Sequence, residues 1–206
     1  MVAIKKRAVN PAQKALRREQ ILAAGAELFA SHRYEAVNMV LLAGAAGITK
    51  PALYRYFRSK EALFLALFRQ ELAKLSLGFS LLGRPENLGP AVAAQFARLP
   101  LYCRLSAILH TVLERDLTYE EALDFKLILK AEIGVIGGFL AAAMEITDEA
   151  LLLDKMLQTQ QALIGVWHMT HPVGAVAEVL KRPDMINFCQ DFEETLAKHL
   201  TAILRP

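Results

Sequence analysis

Apolar residues recurring at i, i+3, i+4 and i+7 mark one face of a helix, and that period runs through almost the whole chain. Ile21, Leu22, Ala24, Gly25, Leu28 and Phe29 form such a stripe over residues 13–31. Met39, Leu42, Ala43 and Ala46 repeat it over a shorter stretch, with Asn38 placed to cap that helix through its side-chain oxygen. Gly47 then supplies the positive φ that ends a helix. Thr49 caps the next one, and Pro51 falls in its first turn, where no backbone donor is lost. Two short helices around a tight turn make a helix-turn-helix. Ser59 opens a longer helix to about residue 77, with Leu63, Phe64, Leu67, Phe68, Leu72 and Leu75 at helical spacing.

Residues 78–90 are rich in Gly and Pro and read as a loop. Helical spacing then returns over residues 91–98 and 101–116. A capping box, Thr118-Tyr119-Glu120-Glu121, opens a long helix to about residue 146. Thr147 or Asp148 caps another to residue 170, and helices are expected over 173–181 and 184–204. No alternating strand pattern stands out, so the expected fold is all-α. It divides into a helix-turn-helix domain over residues 1–70, with a basic arm at 1–12, and a helical body over 71–206. Leu152, Met156, Thr159 and Leu163 form one stripe late in the chain; Phe188, Phe192, Leu196 and Leu200 form another. Both suit pairing with a second copy, and burial within one subunit is the competing reading.

Composition narrows the class. The 206 residues are 54% hydrophobic and 22% charged, the balance of a packed protein. The longest apolar run, 133–144, is shorter than the roughly 18 residues of a membrane span. The basic N-terminus lacks the features of a secretory signal. Cys103 and Cys189 have neither metal spacing nor a disulfide framework, which fits a reduced cytoplasm. Charge is placed unevenly: residues 1–60 hold eleven Lys or Arg against three Glu, the remainder thirteen against eighteen acids. A basic end joined to a mildly acidic body is the footprint of a nucleic-acid binder.

The second helix of the motif carries the chemistry. Lys50 stands in its first turn, where base edges are read. Leu53 can pack inward or against a thymine methyl. Tyr54, Arg55, Tyr56, Arg58 and Lys60 interleave phenols with cations, both of which donate to phosphate oxygens. Elsewhere the residues support no reaction. His168 and His171 sit three apart without a nearby carboxylate, and the glycines at 134, 137 and 138 follow no strand. No catalytic set, metal site or cofactor is expected.

The run from Ala46 to Phe64, AGITKPALYRYFRSKEALF, resembles the TetR family of one-component bacterial transcription regulators. The likeness reaches back to about Leu16 and covers roughly the first third of the chain. It implies a homodimer on a palindromic double-stranded DNA operator, with Asn38, Thr49, Lys50, Leu53, Tyr54, Tyr56 and Lys60 toward DNA. It also implies an effector cavity in the C-terminal body. Phe68, Leu72, Tyr102, His110, Phe125 and Trp167 are its candidate lining by position and size, for a small and largely apolar molecule. The last two long helices would pair with their copies in a four-helix bundle. The expected activity is that of a repressor released by its effector. The alternative is a helix-turn-helix protein acting through protein partners. Two departures stand out. Arg33 occupies a place where the family usually has Gly, adding charge near the DNA face, and Val40 and Leu41 are apolar where polar residues are usual.

Overall fold

Side-chain caps set most of the helix boundaries. In the computed structural model, which describes residues 10–115 and 117–205, α1 (Pro11–Ser31) starts where Asn10 Oδ1 accepts from Gln13 N at 2.8 Å. The basic arm expected at 1–12 falls almost wholly outside the described residues. A 3-10 turn at Tyr34–Ala36 leads to α2 (Met39–Ala45), where Asn38 Oδ1 accepts from Val40 N and Leu41 N at 3.0 Å. Gly47 follows at φ 64°, a conformation a Cβ would strain. α3 (Lys50–Tyr54) begins under the Thr49 hydroxyl and α4 (Lys60–Leu81) under that of Ser59. The body comprises α5 (Leu88–Ala97), α6 (Pro100–Ile108), a π-type turn at Leu109–Leu113, α7 (Tyr119–Met144), α8 (Glu149–Thr170), α9 (Ala175–Val179) and α10 (Phe192–Ile203). The fold is all-α.

The capping box at α7 forms as expected. Glu121 N donates to Thr118 Oγ1 at 3.3 Å, and Thr118 N donates back to Glu121 Oε2 at 2.9 Å. Two expectations fail. Most of the anticipated loop at 78–90 is helix, divided between the end of α4 and the start of α5. The helix anticipated over 184–204 is interrupted: a 3-10 stretch, Pro183–Phe188, ends first, and Asp191 then caps α10 by accepting from Glu194 N at 2.8 Å.

One helix serves both halves of the core. Near its start, α4 presents Phe64 to Phe29 and Tyr34, with ring centroids 4.9 and 5.1 Å apart. Further along, Phe68 meets Tyr102 and Phe125 at 5.3 and 5.9 Å, and Phe79 meets Phe139 at 5.3 Å. Edge-on and tilted ring pairs of this kind add to the burial of their area. Cys103 lies in this core, its Sγ 3.3 Å from Phe96 O, and burial pushes its thiol up to about 12. Cys189 is exposed.

The residues expected to pair two subunits divide differently. Leu163, Leu196 and Leu200 are completely buried and Thr159 nearly so. Leu152, Met156 and Phe192 are half-buried against the core, and Phe188 alone of the eight is exposed. Most of these stripes belong to the subunit interior, because α10 packs on α5 and α8 and takes up the apolar faces that periodicity reveals. The uncovered apolar residues sit on the opposite faces: Leu123, Leu127 and Val135 on α7, Leu153 and Leu157 on α8. This outer surface makes α7 apolar and long enough, by composition, to cross a bilayer, with a mean hydropathy of 1.8 over its best window. Lys130 and Glu132 interrupt this surface, so its uncharged run covers only 133–144.

Gly89 makes the α5–α10 crossing possible. A Cβ built there would stand 2.5 Å from Thr201 N and 2.7 Å from Thr201 Cα, and backbone cannot step aside as a side chain can. Gly89→Ala is therefore expected to cost about 2–3 kcal/mol and lower the melting midpoint by roughly 5 °C or more. Gly44→Ala, with no atom within 4 Å of the added carbon, is the control and should hold or raise the midpoint. Equal midpoints for the two variants would contradict the packing described.

Candidate nucleic-acid interface

The α3 helix is short, and its position is set from behind. Leu53 is fully buried, which corrects the expectation that it touches DNA: it anchors α3 to the core through the face opposite the exposed one. Thr49, Lys50 and Tyr54 are exposed on the outer side. Lys50 Nζ lies 5.9 Å from the Tyr54 ring centre, within cation–π range. Arg55 follows, also exposed, and Tyr56 is half-buried. Asn38 is exposed, with its oxygen held by the two backbone donors that it caps. Val40 and Leu41 are exposed beside it.

Lys60 and Arg58 do something other than wait for phosphate. Lys60 Nζ donates to Tyr34 O at 2.9 Å and lies 3.8 Å from that ring's centre. Burial holds its ammonium below the usual lysine range. Its neighbour Glu61 accepts from the Tyr34 hydroxyl at 2.7 Å; burial pushes its carboxyl up, and that bond together with those from the backbone and Ser59 and the Lys60 charge brings it below its ordinary value. Lys60 and Glu61 thus fasten the turn after α1 to the start of α4. Arg58 reaches the body, pairing with Glu121, the same carboxylate that closes the capping box of α7. That is one tie between the motif and the body.

Arg104 on α6 makes another. Its guanidinium donates to Phe29 O and to His32 O, the latter at 2.8 Å, and lies 4.1 Å from the Phe29 ring centre. A cation at the carbonyl end of α1 complements the helix dipole and satisfies acceptors the helix leaves open. Burial lowers the Arg104 pKa from its ordinary value. The sequence reading missed this residue, although a lone cation in the apolar segment LYCRLSAIL was a signal.

Beside Arg104, α1, α6 and the end of α8 enclose an open cleft of about 1190 Å³. Trp167 lines it, stacked on His171 at 3.7 Å. So does Arg33, which therefore faces the body and not the DNA side. The other residues expected around an effector lie elsewhere. Phe68, Leu72, Tyr102 and Phe125 are buried in the aromatic core of the body, where burial pushes the Tyr102 phenol up to about 12. The Ser106 hydroxyl lies beside that phenol and opposes the shift without reaching hydrogen-bond geometry. His110 is exposed and holds Glu114 at 2.9 Å. Its neighbour Leu109 and Leu113, one turn on, take the inward positions and turn the imidazole outward. Among the described residues no group of three or more His, Cys, Asp or Glu could hold a metal ion.

This arrangement has relatives. Residues 21–67 match the model described as bacterial regulatory proteins, tetR family, and residues 61–205 match that of the tetracyclin repressor-like C-terminal domain. The HTH-type transcriptional activator FasR of Mycolicibacterium smegmatis is 40% identical over 62 residues, 30% of this chain and 28% of that protein. The HTH-type transcriptional repressor AcnR of Corynebacterium diphtheriae is 34% identical over 68 residues, 33% of this chain and 36% of that protein. The matched segment thus spans only about a third of either relative's length. Over the whole fold, the fatty acid degradation regulator FadR of Bacillus halodurans superposes with a TM-score of 0.60 at 16% identity, covering 96% of this chain and 97% of its own. FadR of Bacillus subtilis, solved in complex with stearoyl-CoA, gives 0.55 at 18% identity, covering 90% and 97%. With the helix-turn-helix and the helical body each matched along their lengths, the chain belongs to the TetR family of DNA-binding transcriptional regulators.

Proposed function

We propose that the chain is a homodimeric, cytoplasmic repressor that leaves a palindromic operator when a small, largely apolar effector binds its C-terminal body. The observation that carries this reading is the exposed Thr49–Lys50–Tyr54 surface on a motif tied to the body through Arg104 and Arg58. A surface that reads DNA, fastened at two points to a second unit, is the geometry in which one unit's shape sets the other's aim. The effector shifts the balance only by binding the released form more tightly than the DNA-bound one. Tyr102 and Ser106 are polar groups in the apolar core of the body, suited to orient such a molecule. Repression asks for occupancy alone, whereas activation needs a surface for the transcription machinery. The exposed Val40 and Leu41 favour the second reading, in which the reader domain also binds a protein partner.

Pairing is assigned to the outer face of the α7–α8 hairpin. Leu127, Val135, Leu153 and Leu157 are exposed there together with Gly134 and Gly138, whose missing side chains leave room for close approach. Two reading helices must span half-sites about one DNA turn apart, so a symmetric pair is required. Leu157→Arg is expected to give a monomer by light scattering and to remove tight operator binding while helix content holds. A dimer surviving both Leu157→Arg and Leu153→Arg would refute this surface.

The primary test is affinity for the chain's own upstream DNA against a scrambled duplex over a salt series. Preference for the natural sequence supports the reading. No preference there, nor for any duplex selected from a random pool, would overturn it. Tyr54→Ala should weaken the preferred duplex by about tenfold and the scrambled one much less. Arg55→Ala should weaken both alike and reduce the salt slope by about one unit. Lys60→Ala acts differently from the phosphate contact expected from sequence. With its ammonium bonded to Tyr34 O, its loss should lower the melting midpoint of the protein and leave the ranking of DNA sequences intact.

A further inference from the structure

The cleft between α1 and the α6–α8 end is not the aromatic core of the body, and its lining has the makeup of a ligand site. Pro100, Leu101, Ile108, Trp167 and Val173 give it an apolar wall. Arg33 stands in the lining with its Nη2 3.0 Å from where a Cβ on Gly174 would stand. No hydrogen bond or ion pair holds that guanidinium among the described residues. Arg104 adds a second guanidinium, bonded only to neutral carbonyls. Glu27 and Glu35 are the acids of the lining; Glu35 also faces the Lys60 ammonium, which it shares with Glu61. Two guanidiniums and two carboxylates thus line an apolar trough, and among the described residues neither guanidinium is ion-paired, which leaves both open to an anion. At about 1190 Å³ the space is ample for a small organic molecule.

We propose that this interdomain cleft binds small amphipathic organic monoanions, with Arg33 and Arg104 taking the anionic head and the Leu101–Ile108–Trp167 wall taking the apolar body. A carboxylate matches a guanidinium fork in a way that a single carbonyl does not. The ligand therefore competes with Phe29 O and His32 O for Arg104 and loosens the tie between α6 and α1. The regulatory consequence rests on the repressor reading above; the binding event does not.

Trp167 is the chain's single tryptophan and lines the cleft, so its fluorescence reports occupancy directly. The full-length protein is titrated, without DNA, with decanoate and separately with decyltrimethylammonium, both below micelle formation. Decanoate should give a saturable change, with the cationic probe at least about tenfold weaker. Arg33→Gln removes an exposed side chain and should weaken decanoate about tenfold while leaving the melting midpoint in place. No saturable change, equal response to the two probes, or undiminished decanoate binding by Arg33→Gln would each overturn the proposal. Decanoate binding that persists in a protein with no DNA preference would sink the repressor reading and leave the site standing.

Discussion

Everything in this molecule hangs on α4 being shared. Phe64 completes the aromatic cluster behind the DNA-reading helices, and from one turn later Phe68, Leu72, Leu75 and Phe79 are interior to the body. A helix packed on both sides cannot shift at one end without disturbing the other, because interiors are dense and respond in steps and not by smooth deformation. The polar ties at Arg104 and Arg58 act on top of that shared core. They join the same elements that α4 packs against, by polar contacts: the carbonyl end of α1 with α6, and the loop after α3 with the first turn of α7. Hydrophobic packing through α4 holds the two units together, and the two arginines add polar ties across the same junction.

The capping residues made much of the fold legible. Asn38, Thr49, Ser59, Thr118 and Asp148 each sit where the sequence placed a helix start, because a side-chain oxygen beside unpaired backbone donors is a local event that needs no partner far away. Asp191 is the same kind of signal, masked by apolar spacing that carries on through it. What periodicity could not disclose is which partner an apolar stripe meets. The Leu196 and Leu200 stripe is as regular as any interface, and it is the neighbouring α5 that makes it interior. Nor does spacing show that two helices may approach to backbone contact; that depended on Gly89, inside what reads as a loop.

The site divides along the same line. The exposure of Thr49, Lys50 and Tyr54 is legible because they lie within a few residues of a turn whose geometry is local. Leu53 and Lys60 have tertiary roles that spacing does not disclose: one plugs the core, the other holds a carbonyl twenty-six residues away. Arg33 and Arg104 acquire meaning only when α1 and α6 are brought together, and no pattern in either segment announces the other.

The contrast between the two cysteines reaches beyond the fold. Cys103 is sealed in the core with a thiol that stays protonated at any physiological pH, whereas Cys189 lies in the open between the 3-10 stretch and α10. Alkylating reagents act on the thiolate that solvent can reach. The unaltered chain therefore offers a maleimide dye or spin label one address per subunit. In a symmetric pair, two such labels would make a molecular ruler, built without a single substitution.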